Sequence, residues 1–340
     1  MTIGVTGGSG FLGSRVVAEL LARGYHVRCA IRSTAKAAEV AHRYNDERRG
    51  RLEIVVGNLD RRDFCREFLD GCDAVIHIAA PLTGSVPALF ANGVIPTRVL
   101  VEAAVDCGVR RFVLISSLAV YGTQTLRPGS VLDERCLVDR QPHLRDAYTY
   151  SKVAQELVCW EAHNERGLPL VVLRPGVLYG PGRPLLTPRI GLTIGSVLVQ
   201  MGGRQQVPYC FVGNCARAVA SAVDATGIDG MRFNIVDDSL PSGDEVLRRH
   251  RMHVGRIRRI KIPGWAIGTV ARACEWGSAR SSGMFPPVLT PYKAAALWRR
   301  LRFSNELAKT HLGWQPTVTF DEAVGLTVQR ADAAGRGIGH

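Results

Sequence analysis

The chain has little lysine, no paired cysteine spacing and no long hydrophobic run, and each shortage removes a class of protein. Nine cysteines are scattered, Cys210 and Cys215 being the nearest two, and no Cys/His cluster has zinc-ligand spacing. Neither a disulfide scaffold nor a metal site is expected. No apolar run reaches the roughly 18 residues that a membrane span requires, although Ile190–Met201 and Ile262–Ala273 are patches of intermediate length. No signal-like segment precedes the first apolar run, which together with reduced cysteines leads to the expectation of a cytoplasmic protein. Internal repeats and low-complexity tracts are absent. Only the Gly-containing final stretch reads as a frayed terminus.

Lysine occurs at positions 36, 152, 261, 293 and 309 alone, so arginine supplies most of the 43 basic residues and the net charge of +13. Such a field favours anionic partners. The densest stretch is Arg248, Arg249, Arg251, Arg256, Arg258, Arg259 and Lys261. It reads either as a solvated helix face and strand, or as a contact for an anionic membrane surface or a substrate diphosphate. Nucleic acid is not expected, because no binding motif or aromatic stacking platform accompanies the charge. A small-molecule substrate remains, and a homodimer is compatible with the pattern.

What is present is glycine at a telling place. Gly7, Gly10 and Gly13 stand three apart, directly after the apolar run Ile3–Thr6 and at the start of a helical pattern over Phe11–Leu21. A strand feeding a helix through such a turn binds a dinucleotide. The first glycine allows the tight turn, the second admits the pyrophosphate and the third permits close helix packing, while the helix N-terminus offers unpaired N–H groups.

Strand-like runs recur at Ile3–Thr6, His26–Ile31, Leu52–Val56, Ala74–Ile78, Phe112–Ser116 and Leu170–Leu173, with helix-like segments between them. This alternation predicts an α/β fold, a Rossmann-type doubly wound parallel sheet with its ligand at the carboxyl ends of the strands. Residues 1–175 form the NAD(P)-binding domain, with some later segments returning to it. Residues 176–335 form a smaller, mostly C-terminal substrate lobe, with a helix near Asn214–Ala225, a strand near Met231–Val236 and helices near Gly243–Arg251, Asn305–His311 and Asp321–Ala331. Gly122–Leu144 has poor periodicity and reads as a long loop near the site.

Tyr148-Thr-Tyr-Ser-Lys152 begins another helical run, and four-residue spacing puts Tyr148 and Lys152 on one face. An adjacent ammonium favours the phenolate and makes the tyrosine a usable acid–base group. Tyr150 competes, but the residue four beyond it is Ala154. Ser116 and Ser117 close a strand where a hydroxyl faces the ligand crevice, or where it merely bonds local backbone.

Taken in order, Thr6-Gly-Gly-Ser-Gly-Phe-Leu-Gly13, His77-Ile-Ala-Ala-Pro81, Ser116-Ser-Leu-Ala-Val-Tyr-Gly122, Tyr148–Lys152, Arg174-Pro-Gly-Val-Leu-Tyr-Gly-Pro181 and Leu312-Gly-Trp-Gln-Pro316 span nearly the whole chain. This set resembles the extended short-chain dehydrogenases/reductases of the NAD-dependent epimerase/dehydratase superfamily. The resemblance implies that Ser117 polarises the substrate oxygen, Tyr148 exchanges the proton, and Lys152 tunes it and holds the nicotinamide ribose. It implies cofactor contacts from Gly7, Ser9, Gly10, Phe11, Leu12 and Gly13, from Ala79, Ala80 and Pro81, and from Pro175, Gly176 and Val177 at the nicotinamide end. Gly24–Arg32 resembles the dihydroflavonol reductase-like branch. Ile262-Pro-Gly-Trp265, Leu289-Thr-Pro291 and Phe303–Pro316 resemble the 3β-hydroxysteroid dehydrogenase-like branch.

Two departures stand out. The family often has Asp after the glycine that ends the third strand, whereas Gly57-Asn58-Leu59 offers an amide for the adenine edge. The family's Asn-Val-x-Gly-Thr appears as Gly93-Val-Ile-Pro-Thr97, with Asn92 as the nearest substitute, which puts the local helix geometry in question.

Where an NAD-preferring fold has a carboxylate, about 20 residues beyond the glycines, this chain has Ile31 and Arg32, with no acidic residue before Glu39. Arg32 suits a 2′-phosphate. The expected cofactor is therefore NADP, with NAD compatible, and the expected activity is hydride transfer between nicotinamide and a secondary alcohol or ketone. A nucleotide-sugar 4-epimerase or dehydratase with retained NAD is the alternative; a catalytically silent NADP(H)-binding regulator is the third. Substrate specificity is expected in Leu82–Ser85, Gly122–Leu144 and Gly182–Phe211.

Overall fold

The computed structural model describes residues 1–44, 51–281 and 289–335. The Gly-containing end expected to fray lies almost wholly outside them. Seven parallel strands make the main sheet: β1 (Thr2–Thr6), β2 (His26–Ile31), β3 (Arg51–Val56), β4 (Ala74–His77), β5 (Arg111–Ile115), β6 (Leu170–Pro175) and β7 (Met231–Ile235), in the spatial order β7-β6-β5-β4-β1-β2-β3. Helices are α1 (Phe11–Ala22), α2 (Thr34–Arg43), α3 (Arg62–Leu69), α4 (Val86–Asp106), α5 (Ala147–Arg166) and α6 (Val212–Asp224). The strand order reverses between β1 and β4, and this switch point opens the crevice where a ligand binds such a sheet.

Alternation along the inner strands explains why both faces are covered. Val113, Ile115, Val171 and Leu173 join α1 and α6 in one core, whereas Phe112, Leu114, Leu170 and Val172 join α3, α4 and α5 in the other. Period-two side chains that are apolar on both faces require helices on both. The 21 residues of α4 are long and apolar enough to cross a membrane, yet half of the apolar window is buried and the helix packs on α3 and α5.

The returning segments are β7, paired in parallel with β6, and α6, packed on α1. Val246, Leu247, Ala308, Leu312, Phe320 and Val324 pack into the same core as α1 and α6, while Gly191–Ile194, Val197–Met201 and Arg258–Ile262 build a separate small three-stranded sheet, with helices Ile267–Arg280 and Pro291–Trp298 against it. Gly122–Leu144 does lie near the site, where Asp139 pairs with the crevice-lining Arg145. It straps the body to the C-terminal segments, with Val131–Leu132 paired to Arg302–Phe303 and the Thr123 hydroxyl donating to Ala296 O at 3.1 Å. None of its residues lines the crevice.

The Gly93–Thr97 departure also has a physical outcome. Pro96 cannot donate an N–H to the preceding turn, and the helix absorbs this as a π-turn over Phe90–Val94. Asn92 Nδ2 donates to Ala88 O at 2.9 Å, while the Thr97 hydroxyl donates to Gly93 O at 2.7 Å. Thr97 Oγ1 also meets His77 Nε2 at 2.9 Å and accepts from Gln155 Nε2 at 3.1 Å, and His77 Nδ1 meets Thr6 Oγ1 at 2.8 Å. With the Thr97 proton committed to Gly93, His77 is the Nε2–H tautomer and Thr6 donates to its Nδ1. Burial pushes His77 down to about 3, so it stays neutral. This buried chain ties β1, β4, α4 and α5 together beneath the crevice.

Candidate functional site

The crevice is a cavity of about 1020 Å³ along the carboxyl edge of the sheet. At its centre β1 turns into α1. Gly7 has φ +73, and a Cβ there would lie 2.8 Å from Ala79 N; at Gly13 a Cβ would lie 2.0 Å from Gly7 O. Both positions require glycine. Gly10 is different: its added Cβ would meet only Gly7 O, at 3.2 Å, and it lines the cavity. The first turn of α1 has no acidic residue and no side-chain cap, so its N–H groups face the cavity unmet by side chains. That is the chemistry a pyrophosphate requires.

The cavity is also lined by Ser9, Phe11, Leu12, Ala79, Ala80 and Pro81 in the middle, by Arg32, Asn58 and Leu59 at one end, and by Ser117, Tyr148, Lys152, Pro175, Gly176 and Val177 at the other. All the candidate residues thus share one cavity. Tyr150 does not line it and packs instead on Phe90, with ring centroids 4.9 Å apart. The seven-residue basic stretch lies elsewhere: Arg248, Arg251, Arg259 and Lys261 line a separate depression, and Arg249 pairs with Asp321 at 2.6 Å.

Sequence reasoning missed several residues. Lys36, in the first turn of α2, joins Arg32 at its end of the cavity, and Asp60 lines the same cavity, accepting from Asn58 Nδ2 at 2.9 Å. Lys36 was legible as the sole lysine of the first 150 residues, four beyond Arg32. Arg145, Arg183 and Arg189 line the opposite end. Arg183 lies over the Phe11 ring, 4.7 Å from its centroid.

Tyr148 and Lys152 do share a face of α5, but the electrostatics differ from the expectation. The Lys152 Nζ donates to Ile115 O at 2.8 Å, and burial brings its pKa down to about 8 against the opposing pull of Glu156. Burial pushes the Tyr148 phenol above its ordinary value, while a hydrogen bond with Ser117 and the positive charge of Arg183 pull it back. The cation bearing on Tyr148 is therefore Arg183. Ser117 Oγ also accepts from Ala119 N at 3.1 Å, and Ser116 Oγ, buried at the cavity wall, has no partner among the described residues. A dinucleotide lying from Arg32 to Ser117 would meet donors along its whole length. The residues fit that group.

Beneath α5 a buried ion pair fixes its angle to the sheet. Arg174, at the end of β6, donates through Nε to Glu156 Oε1 at 2.9 Å and through Nη2 to Oε2 at 2.5 Å, and its guanidinium lies 4.6 Å from the Tyr121 ring centroid.

The NAD-dependent epimerase/dehydratase family model matches residues 3–235. Cinnamoyl-CoA reductase 1 of Petunia hybrida is 28% identical over 321 residues, covering 90% of this chain and 85% of the reductase. The human sterol-4-alpha-carboxylate 3-dehydrogenase (decarboxylating) is 27% identical over 339 residues, covering 96% and 87%. Among solved structures, the UDP-glucuronic acid 4-epimerase of Bacillus cereus with UDP-glucuronic acid and NAD superposes with a TM-score of 0.72 over 98% of this chain and 100% of the epimerase, at 20% identity. That similarity concerns the fold alone.

Proposed function

The chain belongs to the NAD-dependent epimerase/dehydratase family, as an extended short-chain dehydrogenase/reductase, and within it we propose an NADP(H)-dependent oxidoreductase acting on a secondary alcohol or ketone. The observation that carries the cofactor choice is the end of β2, where Arg32 and Lys36 border the cavity and the β2–α2 junction supplies no carboxylate. Two cations suit a 2′-phosphate; a carboxylate there would repel it.

Bound at the site, the nicotinamide supplies or accepts the hydride. The protein does the rest. Ser117 donates a hydrogen bond to the substrate oxygen, and the Tyr148 hydroxyl, lining the same end of the cavity, delivers its proton to that oxygen as the ketone carbon is reduced. Lys152, anchored on Ile115 O, holds the ribose side of the cleft. In the oxidative direction the same proton returns to Tyr148. Two relatives that align with most of the chain, the Petunia reductase and the human dehydrogenase, are named for net redox reactions, which supports this reading over a retained-cofactor epimerase. Convergence of Ser117, Tyr148 and Lys152 on one cavity argues against a silent regulator.

Arg32→Asp tests the cofactor assignment. Losing a charge-assisted hydrogen bond costs about 1.5–3 kcal/mol, so NADPH affinity falls about ten- to a hundred-fold while NADH affinity holds or rises. Titration of both cofactors into both proteins reads this. Equal affinity of the wild type for NADPH and NADH would contradict it.

A further inference from the structure

Beyond Tyr148 the cavity ends among Arg145, Arg183 and Arg189, and of these only Arg183 bears on the reacting tyrosine. Arg189 lies in the loop between Val177–Tyr179 and Gly191–Ile194, and that loop is fixed at several points. Tyr209 donates to Leu185 O, Trp298 Nε1 donates to Pro188 O at 3.1 Å, and Gln205 Nε2 donates to Arg189 O at 3.4 Å. The guanidinium is thereby held at a wall shared with Leu186, Pro188 and Leu297. No carboxylate of the described residues lies within ion-pair distance of it. Arg145 lines the same end with a side chain only 3% exposed, and its Nη1 is committed to Asp139 at 3.2 Å and to Tyr121 O at 3.4 Å. Asp139 is itself shared with Gln124 and Tyr292. The negative group felt by Arg189 is Asp146, and its carboxylate already accepts from Thr149 N at 2.9 Å and Thr149 Oγ1 at 2.8 Å.

Arg145 has its carboxylate in Asp139, whereas the partly exposed Arg189 opens on the cavity without one among the described residues, so an anion entering the cavity would find its guanidinium available. The low-dielectric surroundings and the charge of Arg145 bring the Arg189 pKa down to about 10, a shift that an anionic partner would oppose. We propose that Arg189, with Arg145 beside it, is a subsite for an anionic substituent of the substrate, a carboxylate or a phosphate, carried on an otherwise apolar body. The assignment rests on reading this cavity as the substrate cleft, but not on which nicotinamide cofactor fills the other end.

Fluorine NMR titration of 4-fluorobenzoate, 4-fluorophenyl phosphate and the neutral 4-fluorobenzamide tests this on enzyme saturated with NADP⁺, or with NAD⁺ if the cofactor assignment fails. At least one anion is expected to bind about tenfold or more tightly than the amide. Whichever it is distinguishes carboxylate from phosphate. Arg189→Gln should abolish that preference while leaving amide and cofactor affinities unchanged, and Arg189→Lys should retain part of it. Equal binding of anions and amide to the wild type, no binding of either anion, or a preference that persists in Arg189→Gln would overturn the subsite.

Discussion

Tyr148→Phe is expected to lower turnover by about 10²- to 10⁴-fold, the contribution typical of a positioned acid–base group. The ring that fills the cavity wall is kept and only the proton is removed, so cofactor affinity should stay within about twofold, a few tenths of a kcal/mol. The pH profile sharpens the test. Burial raises the Tyr148 pKa, so in the reductive direction the proton donor is loaded throughout the neutral range and, with cofactor saturating, the chemical step should slow as pH rises toward the phenol's titration. Arg183→Gln removes the positive charge that opposes this shift, and should move the alkaline limb to still higher pH. Single-turnover measurement under conditions where chemistry limits the rate decides the matter. Wild-type turnover in Tyr148→Phe would remove tyrosine from the mechanism.

The second large effect is structural. Glu156→Ala leaves Arg174 charged, buried and unpaired, and breaking such a pair costs about 3–5 kcal/mol. Arg174 and Glu156 have side-chain exposures of 0% and 2%, so solvent cannot replace the lost partner. Urea unfolding of the single variant should show that loss, while Glu156→Leu combined with Arg174→Met should recover most of it, because apolar groups of similar volume need no partner. A single variant as stable as the wild type would show that water reaches this site. The pair also touches the chemistry. Glu156 opposes the fall in the Lys152 pKa, so its removal should let the ammonium deprotonate below about pH 8 and weaken cofactor binding at the alkaline end first.

The framework was legible because it rests on local patterns. Short runs such as Phe112–Ser116 and Leu170–Leu173 are apolar at successive positions, which only a strand buried on both faces explains, and they became β5 and β6. The glycine turn was legible because its local causes, the positive φ of Gly7 and the approach of Gly13 to Gly7 O, lie within one short stretch of chain; the approach of Gly7 to Ala79, just beyond the neighbouring strand β4, was not. The arginine end was not. Arg183 and Arg189 lie in a Gly/Pro-rich loop without periodicity, and their direction is set by distant ties, Tyr209 to Leu185 and Trp298 to Pro188. Helical spacing rightly put Tyr148 and Lys152 on one face. It carried no information on the Ile115 carbonyl that captures the ammonium. Likewise Gly122–Leu144 has the composition of an active-site loop, but it lies behind the cavity wall, paired with Arg302–Phe303 and reaching the site through Asp139 on Arg145.

The central claim is net redox chemistry with exchange of NADP(H), and cofactor stoichiometry tests it most directly. Purified protein is incubated with NADPH and a panel of apolar ketones with and without an anionic substituent, and separately with nucleotide sugars, while cofactor and product are both quantified. The account predicts one NADPH consumed per alcohol formed, with NADP⁺ released into solution at each turnover. Inversion of a nucleotide sugar on tightly retained NAD, with no net change in cofactor, would contradict it.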